Sequence, residues 1–400
     1  MKILIISNAL PFPLHDGDRL ILFNLLKNLS VSHQIDLVTF FDQSDQEIYK
    51  EKVSQYCNSL VTLSAKQHYS PFFKAFCHMS LYPYTVVKKF SKRMAELVKD
   101  MVKKNKYDII HFHHLEMLPY GLNINSLPKI AYVIDAVSLY FRRNYYTEKR
   151  LSKKFLYFLE FAKMRRYEKR NYPRFDRCVV VSETDKLALQ RDCPDIKIVT
   201  VTNGVDTEYF NSTSQREEYP GLLFSGNMDY PPNVHAAFWF TENVWPKVKA
   251  VFPNVKLYIV GRNPSPALDR IKKDNRIVIT GYVEDIRHYF DKANIYVCPM
   301  LSGTGIKNKL LEAMAMGKAI IASSLSLQGI PDCKDKDCLM ISDTPSDFAE
   351  KVIELLKNHN YRQQLGMGAR QFVLGQYSWK SRVKVLEQTY RDAIDEFRKR

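Results

Sequence analysis

The chain has 400 residues, of which 46% are hydrophobic and 26% charged, and its formal net charge at pH 7 is +16. This length predicts two domains, and the composition is that of a globular protein, which excludes fibrous and disordered classes. No apolar run reaches the ~18–20 residues that a membrane span requires. The first residues, MKILIIS, predict a β-strand and not a signal peptide, so we expect a cytoplasmic protein.

Two segments hold almost all of the excess positive charge. Residues 66–106 contain ten Lys or Arg against two Asp or Glu, and residues 142–177 contain thirteen against four. Both interleave these residues with Phe and Tyr, a pattern that suits contact with anionic lipid. A solvated helix face would give the same pattern. We favour peripheral contact with the inner face of the cytoplasmic membrane, and the absence of a recognised nucleic-acid module disfavours nucleic acid as a partner.

The first half of the chain alternates short apolar runs with stretches of helical spacing. The runs that predict strands are KILIIS, QIDLVTF, SLVTLSA, YDIIHFHH, KIAYVID and RCVVVSE. At residues 201–220, VTNGVDTEYFNSTSQREEYP, turn-forming and polar residues interrupt this pattern and indicate a domain boundary. Strands rich in β-branched residues and separated by helices predict a parallel sheet covered on both faces.

The second half repeats the same alternation. The runs GLLFSGN, VKLYIVG, RIVITGYV, IYVCPM and KAIIAS predict strands, and AAFWFTENVWPKVKAVF predicts one helix. We place a first domain at 1–205 and a second at 206–378, with the final amphipathic helix, 379–400, packing back on the first. In doubly wound sheets ligands bind at the carboxyl ends of the strands. The seven cysteines are scattered and form no CxxC pair, so we expect reduced thiols and no zinc site.

Residues 302–321, SGTGIKNKLLEAMAMGKAII, follow a predicted strand with a glycine-rich loop and a helix that Gly317 ends. This order suits a phosphate group, because glycine permits close approach and the helix dipole favours an anion. The dipole disfavours cations at the helix start. Lys307 and Lys309 nevertheless stand there, and a bound diphosphate would explain them.

Glu312 lies in the same helix, among residues that are otherwise almost wholly apolar. A carboxylate in such a place is costly unless it is hydrogen-bonded. At ~1.5 Å per residue it lies about 8–9 Å beyond the loop, a distance that suits a carboxylate accepting two ribose hydroxyls. A structural ion pair with a lysine from elsewhere in the chain is the alternative.

The segment GIKNKLLEAMAMGKAII resembles the sugar-nucleotide motif of the retaining glycosyltransferases of the GT-B fold, family four (group 1). VVVSETDKLAL, VTNGVDTEYF, LYIVGRNP, IVITGYVEDIRHYF and YSW resemble further landmarks of that family in the same order, from about residue 1 to residue 390. FSGNMDYPPNVHAAFWF resembles a subgroup found in exopolysaccharide and surface-glycan biosynthesis clusters. The resemblance implies an α/β protein with two Rossmann-like doubly wound parallel-sheet domains that face each other across a cleft, the first binding the acceptor and the second the donor.

The resemblance also implies roles for individual residues of the donor domain. Glu312 would hold the ribose hydroxyls. The residues that would face the diphosphate and the donor sugar are Gly303, Thr304, Gly305, Ile306, Lys307 and Lys309. The nucleotide base would be held, largely by backbone groups, at Gly281, Tyr282 and Val283.

Two motifs of the first domain resemble the family's other functional segments. In PFPLHDGDRL, Gly17 matches the small residue that approaches the donor or acceptor. In IIHFHHLE, His113 matches the histidine at the reacting centre, where an imidazole can polarise or order the substrates. Its neighbours His111 and His114 would then be packing or surface residues.

The chain departs from the family pattern at two places. Thr304 stands where many members have a second glutamate that binds donor-sugar hydroxyls. The loop SGNMDYPPN lacks the usual arginine and lysine, so Lys307, Lys309 and Arg262 would have to replace that diphosphate clamp. Arg262 in VGRN would equally suit a capped turn.

These features predict a metal-independent glycosyltransferase that uses a UDP- or GDP-linked sugar and no cofactor. It would transfer the sugar to a lipid-linked or surface-glycan acceptor with retention of configuration. The DGD sequence at residues 16–18 mimics a metal-binding DxD, but its loop suits turn formation and substrate contact. The alternatives are a sugar-nucleotide epimerase of the same fold and a catalytically inactive basic protein that binds membranes or polyanions.

Overall fold

The computed structural model describes residues 1–14, 17–41, 47–64, 80–211, 220–302, 306–330, 332–333 and 335–400. The chain divides into two compact units, residues 1–202 with 383–400 and residues 203–382. The division follows residue 202, whereas the sequence analysis places it after residue 205. Within the described ranges, no helix has the length and apolar character needed to cross a membrane.

The first unit contains a seven-stranded parallel sheet in the order β3-β2-β1-β4-β5-β6-β7. Its strands are β1 Lys2–Ser7, β2 Gln34–Phe41, β3 Ser59–Ser64, β4 Ile109–His113, β5 Lys129–Ile134, β6 Arg177–Val180 and β7 Ile198–Thr200. The helices between them are α1 Gly17–Leu29, α2 Glu47–Ser54, α3 Tyr84–Val87, α4 Lys92–Lys104, α5 Val137–Thr147, α6 Leu151–Asn171 and α7 Glu183–Asp192. Short 3-10 helices occur at Leu115–Tyr120 and Tyr172–Arg174.

The second unit contains a six-stranded parallel sheet in the order β10-β9-β8-β11-β12-β13. Its strands are β8 Gly221–Ser225, β9 Lys256–Val260, β10 Ile277–Ile279, β11 Ile295–Cys298, β12 Ala319–Ala322 and β13 Met340–Ile341. The helices are α8 Pro231–Trp239, α9 Trp245–Val251, α10 Arg287–Lys292, α11 Asn308–Ala315, α12 Pro345–Lys357 and α13 His359–Gln376, with 3-10 helices at Pro266–Lys273 and Ser324–Leu327.

Both sheets reverse their strand order in the middle, which is the doubly wound arrangement that the alternating pattern predicts. The reversal falls between β1 and β4 in the first unit and between β8 and β11 in the second. The central strands are largely apolar because helices cover both faces; Ile3 to Ile6, for example, are completely buried. A crevice for a ligand forms beyond the carboxyl ends of the strands at such a reversal.

The helix predicted over AAFWFTENVWPKVKAVF is interrupted. A π-helical turn, Phe240–Val244, joins α8 to α9. Pro246 explains the interruption, since it has no backbone N–H to donate and its ring clashes with the carbonyl four residues earlier. Proline is tolerated at the start of a helix, and α9 begins at Trp245, one residue before it.

The last helix, α14 Trp379–Arg398, belongs to the first unit from Val383 onward. The Glu387 carboxylate accepts a contact of 2.8 Å from His33, and Glu396 pairs with Arg177 at the start of β6. Leu386, Tyr390 and Ala393 are completely buried. These contacts attach α14 to the sheet formed by the first two hundred residues.

The expectation that all cysteines are reduced thiols is wrong at one place. Cys333 and Cys338 form a disulfide, and their Cα atoms are 6.4 Å apart. The turn between β12 and β13 brings together two residues that are five positions apart in sequence, and no spacing motif marks that turn. Cys57, Cys178, Cys193 and Cys298 are free thiols, as expected.

Candidate active site

The second unit has a cavity of about 270 Å³ at the carboxyl ends of its central strands. The sequence analysis expects a ligand at the carboxyl ends of the strands, and this cavity also lies where the strand order reverses. The lining residues that were predicted are Arg262, Tyr282, Val283, Lys309 and Glu312. Those that were not predicted are Ser225, Gly226, Asn227, Val260, Gly261 and Ile286.

Two glycines that follow neighbouring strands, Gly226 and Gly261, line this cavity. The Gly226 N–H donates to the Val260 carbonyl at 3.0 Å, and the Gly261 N–H donates to the Gly281 carbonyl at 3.2 Å. A Cβ atom on Gly261 would lie 1.6 Å from the Gly226 carbonyl oxygen, so only glycine fits there. The signal was present in the sequence, since GLLFSG and LYIVG each place a glycine directly after a predicted strand.

Glu312 lies on α11 and contributes a half-buried carboxylate to the cavity. Burial raises the pKa of its carboxyl group to about 7, and Lys309 opposes that rise. The neighbouring residues Leu311 and Ala313 are completely buried, so the helix is fixed in place beneath the carboxylate. A group held in this way accepts hydrogen bonds from ligand hydroxyls without much rearrangement.

Lys309 lies one turn before Glu312 on the same helix. Its Nζ atom donates to Asn233 Oδ1 at 2.8 Å and lies 3.2 Å from Met300 Sδ and 4.3 Å from the centre of the Phe224 ring. Burial lowers the pKa of this amine to about 8. The ammonium group is therefore held against an amide and an aromatic ring, with no carboxylate in hydrogen-bond contact among the described residues.

The other residues predicted to bind the donor lie in different environments. Lys307 is the residue before α11 and is buried, which lowers the pKa of its amine, but it does not line the cavity. Ile306 packs against the core of the second unit. Gly281 has a φ of +76° and positions Tyr282, which is 75% exposed at the cavity rim. Gly303, Thr304 and Gly305 lie outside the described residues.

Asn227 is a lining residue that the sequence analysis did not assign. Its Oδ1 atom is buried and has no hydrogen-bond partner, while its backbone carbonyl accepts from Asn233 Nδ2 at 2.9 Å. A buried acceptor without a partner is costly in the unliganded protein. It is therefore available to a donor group on a ligand in the cavity.

The first unit has its own cavity, of about 340 Å³, at the reversal between β1 and β4. Its lining residues are Asn8, Ala9, Asp18, Arg19, Leu22, Lys89 and His113. His113 is the last residue of β4 and pairs in register with Ser7, the last residue of β1. The topology therefore places His113 where a ligand is expected. Gly17 begins α1 but does not line the cavity, and a Cβ atom there would meet nothing within 4 Å.

The three histidines of IIHFHH differ in their surroundings. His113 is 1% exposed, and its Nε2 atom has no hydrogen-bond partner. Burial is the main cause that lowers its pKa well below the usual value, and the neighbouring His111 and His114 lower it further. His111 is completely buried and lines neither cavity. His114 has a φ of +80° and lies 3.6 Å from the carboxylates of Asp18 and Glu116.

Two family models match the chain along most of its length. Residues 20–209 match the model described as Glycosyltransferase Family 4, and residues 219–358 match the model described as Glycosyl transferases group 1. The chain belongs to the group 1 glycosyltransferases of family 4. This glycosyltransferase is therefore an enzyme, as the resemblance of its motifs implies.

Related sequences agree with this assignment. An uncharacterized 44.6 kDa protein of the Klebsiella pneumoniae cps region is 24% identical to this glycosyltransferase over 390 residues, which are 95% of this chain and 97% of that protein. The phosphatidyl-myo-inositol mannosyltransferase of Mycobacterium tuberculosis is 29% identical over 196 residues. That second match spans 45% of this chain and 50% of the mannosyltransferase.

Solved structures show that the fold is GT-B. Sucrose-phosphate synthase of Thermosynechococcus elongatus superimposes with a TM-score of 0.69 at 18% identity and covers 99% of both chains. HepE of Anabaena, in complex with UDP and glucose, superimposes with a TM-score of 0.63 at 12% identity and covers 97% of this glycosyltransferase and 99% of its own chain. The expected fold class, two doubly wound parallel-sheet domains, is confirmed.

Proposed function

We propose that this glycosyltransferase takes a sugar from a UDP- or GDP-linked donor and transfers it to a lipid-linked or surface-glycan acceptor. We further propose that the anomeric configuration is retained and that no metal or other cofactor takes part. The observation that carries the proposal is the cavity of the second unit, which places Glu312 and Lys309 together at the reversal of the sheet. The complex of HepE with UDP-glucose supports a nucleotide-sugar donor, and the cps-region relative supports a surface-glycan acceptor.

The proposed roles follow from the chemistry of each lining group. The Glu312 carboxylate accepts the two ribose hydroxyls, and the Lys309 ammonium attracts the diphosphate. Arg262 lines the same cavity and adds a second cation. The sequence motif assigns Lys307 and residues 303–306 to the diphosphate as well, although Lys307 does not line the cavity and residues 303–305 lie outside the described residues. Gly281, Tyr282 and Val283 hold the base, with the exposed Tyr282 ring offering a stacking surface.

His113 is proposed to contact the reacting groups in the cavity of the first unit. In the reaction the bond between the anomeric carbon and the diphosphate oxygen breaks, and a bond to the acceptor hydroxyl oxygen forms. The nucleoside diphosphate leaves and takes up the proton of the acceptor hydroxyl on its oxygen. The Nε2 atom of His113 has no partner in the protein and is therefore free to bind a substrate oxygen.

A binding panel tests the donor. UDP, GDP, ADP and their sugars are titrated into the full-length protein, and thermal shift and calorimetry report which nucleotide stabilises it. We expect one uridine or guanosine compound to bind, and Glu312→Ala to abolish that binding. Release of nucleoside diphosphate should then require an acceptor. Release without acceptor would indicate an epimerase-like reaction, and no binding of any nucleotide would contradict the proposed function.

We also propose that the enzyme contacts the inner, anionic face of the cytoplasmic membrane through residues 80–106 and 142–177. Helices α5 and α6 form a hairpin, and large apolar side chains project from it: Tyr146 is 72%, Leu151 83% and Phe155 61% exposed. Basic residues accompany them at Arg142, Arg143, Lys149, Arg150, Lys153 and Lys154. Residues 66–79 of the first basic segment lie outside the described residues.

Vesicle flotation tests this contact. The wild-type enzyme should float with phosphatidylglycerol vesicles at low salt and remain in the dense fraction with phosphatidylcholine alone. The double variant Leu151→Ser/Phe155→Ser should lose most of the binding. Val31→Ser, at a position that is 84% exposed but outside the hairpin, is the matched control and should float like the wild type. Equal flotation of the hairpin variant and the wild type would contradict the assignment of this surface.

A further inference from the structure

A chain of buried side chains connects the last helix to the cavity of the first unit. The hydroxyl oxygen of Tyr390, on α14, lies 2.5 Å from His111 Nδ1, and His111 Nε2 lies 3.2 Å from His113 Nδ1. Tyr390 and His111 are completely buried, and His113 is 1% exposed. The two histidines are two positions apart on β4, so their side chains point to the same face of the sheet. The far end of the chain, His113 Nε2, lies at the cavity without a protein partner.

Aromatic packing holds the two imidazoles in place. The Tyr132 ring stacks at 5.2 Å from His111 and 5.0 Å from His113, measured between ring centres, and the two imidazole planes differ by 19°. The Tyr390 ring meets His111 edge-on, at 84°. Because packing fixes the two rings, only their tautomers can vary, that is, which of the four imidazole nitrogens carry a proton.

Both imidazoles are neutral at pH 7, because burial lowers the pKa of His111 to about 3 and that of His113 well below its usual value. Each ring therefore has one N–H donor and one acceptor nitrogen. Two arrangements satisfy the two contacts. In the first, Tyr390 donates to His111, His111 Nε2–H donates to His113 Nδ1, and His113 carries its proton on Nε2. In the second, both hydrogen bonds are reversed: His113 Nδ1–H donates to His111 Nε2, and His111 Nδ1–H donates to the Tyr390 hydroxyl oxygen. His113 Nε2 then carries no proton and can only accept.

The tyrosine decides between the two arrangements. Burial raises the pKa of the Tyr390 hydroxyl far above its ordinary value, so the hydroxyl keeps its proton. His111 Nδ1 is its one hydrogen-bond partner among the described side chains. In the second arrangement that hydroxyl proton would be buried without an acceptor, which costs about 1–3 kcal/mol. The first arrangement leaves only the His113 Nε2–H donor without a protein partner, whereas the second leaves both the tyrosine proton and the bare His113 Nε2 acceptor without one among the described residues.

We propose that Tyr390 is a positioning residue that fixes the tautomer of His113 through His111, so that His113 presents an Nε2–H donor to the cavity. The proposal rests on the assignment of His113 to the reacting centre. It deepens that assignment, because an Nε2–H group donates to a substrate oxygen and has no lone pair with which to remove a proton. His113 is then an oxygen-binding donor and not the general base.

The tautomer is measured directly by long-range proton–nitrogen correlation spectra of the full-length enzyme labelled with ¹⁵N-histidine. Spectra of His111→Gln and His113→Gln assign the signals. We expect a pyrrole-type Nε2 and a pyridine-type Nδ1 for both residues. A pyrrole-type Nδ1 on His113 in the wild type would overturn the proposal.

Tyr390→Phe removes only the hydroxyl and tests the role of the tyrosine. We expect the His113 signals to become a mixture of tautomers and kcat to fall roughly three- to tenfold, the worth of one hydrogen bond, with KM for the nucleotide sugar changed less than about twofold. Tyr172→Phe is the matched control, because Tyr172 is also completely buried in the first unit but its hydroxyl has no partner. It should leave both readouts unchanged.

Unaltered spectra and unaltered kcat in Tyr390→Phe would overturn the role of Tyr390. Failure of the proposed function is distinguishable from this result. If the wild type turned over no nucleotide sugar, the donor assignment would fail, whereas the nitrogen spectra of the wild type and of Tyr390→Phe would still decide the tautomer and its cause.

Discussion

Glu312 and Lys309 lie one helical turn apart on α11 and line the same cavity, and burial shifts the pKa values of their side chains towards each other. The Glu312 pKa rises to about 7 and the Lys309 pKa falls to about 8. Desolvation is the larger cause for both groups, and their mutual attraction opposes it. A ligand that donates hydroxyl groups to one and brings phosphate to the other would restore both charges.

Replacement of Glu312 by glutamine should weaken nucleotide binding without lowering the stability of the protein. Glu312→Gln keeps the shape of the side chain and loses the charge, so nucleotide affinity should fall roughly tenfold to a hundredfold as two charge-assisted hydrogen bonds weaken. The thermal midpoint at pH 8 should not fall, because the variant no longer buries an ionised carboxylate. Calorimetry and thermal unfolding measure the two effects. Glu350→Gln, on the exposed face of α12, is the control and should change neither quantity. Unchanged nucleotide affinity in Glu312→Gln would contradict the role of Glu312 in binding the ribose.

Donor affinity should depend on pH with two opposite limbs. Below pH 7 Glu312 takes up a proton and becomes a poor acceptor, so affinity falls as the pH falls. Above pH 8 Lys309 loses its proton and its attraction for phosphate, so affinity falls as the pH rises. Titrations of a nucleotide sugar between pH 6 and pH 9 should therefore give the tightest binding near pH 7–8.

The variant Glu312→Gln provides the control for this profile. It should lose the acidic limb and keep the alkaline one, because only Lys309 would still titrate in the cavity. A nucleotide sugar is preferable to a free diphosphate as the ligand, since its phosphates are both esterified and do not titrate in this range. A flat profile in the wild type would show that these two groups do not bind the ligand.

Gly261→Ala should disrupt the cavity of the second unit. The added methyl group would lie 1.6 Å from the Gly226 carbonyl oxygen, in a backbone with a φ of +158°, so the loops after β8 and β9 must separate. We expect a loss of about 2–4 kcal/mol of unfolding free energy and loss of nucleotide binding. Gly17→Ala is the contrasting variant, because its added Cβ atom meets nothing within 4 Å. Chemical denaturation of both proteins measures the difference, and equal stability would be inconsistent with this packing.

Asp274 should stabilise the second unit above the pH at which carboxylates titrate. It accepts hydrogen bonds from Arg276 Nε at 2.7 Å, from the Trp245 indole at 3.0 Å and from Lys249 at 3.2 Å. The hydrogen bond from Arg276 is the main cause that lowers the pKa of the Asp274 carboxyl group. The stability that Asp274 contributes is therefore present above about pH 4, the ordinary aspartate value, and is lost as the pH falls below it.

Asp274→Asn should therefore lower the free energy of unfolding by about 3 kcal/mol at pH 7 and by less in acid, because the amide group of asparagine would face three cationic or N–H donors. Urea denaturation at pH 7 and pH 3.5 measures this difference. Asp269→Asn is the control: its carboxylate is 65% exposed and, among the described residues, forms an ion pair with Lys272 alone, so its loss should change stability by less than about 1 kcal/mol. A similar small effect in both variants would contradict the role given to Asp274.

Several parts of the cavity of the second unit were predictable from the sequence. Arg262, Tyr282, Val283, Lys309 and Glu312 were selected by motif, and all of them line the cavity. Gly226 and Gly261 were missed although each follows an apolar run, because their importance depends on the contact between two loops that are distant in sequence. Asn227 was missed for a related reason: its acceptor is notable only because the folded chain buries it without a partner.

The alternating pattern of apolar and helical segments determined the fold class, because strands buried on both faces need β-branched residues along their whole length and the intervening helices make the sheets parallel. The sequence motifs also determined the family. The tertiary structure alone decided how residues far apart in sequence meet. Tyr390 reaches His111 across 279 positions, and Lys309 meets Asn233 across 76. The sequence analysis expected the last helix to return to the first domain, but these side-chain contacts depend on strand order and on the exact position of α14 on the first sheet, which local propensity and spacing do not encode.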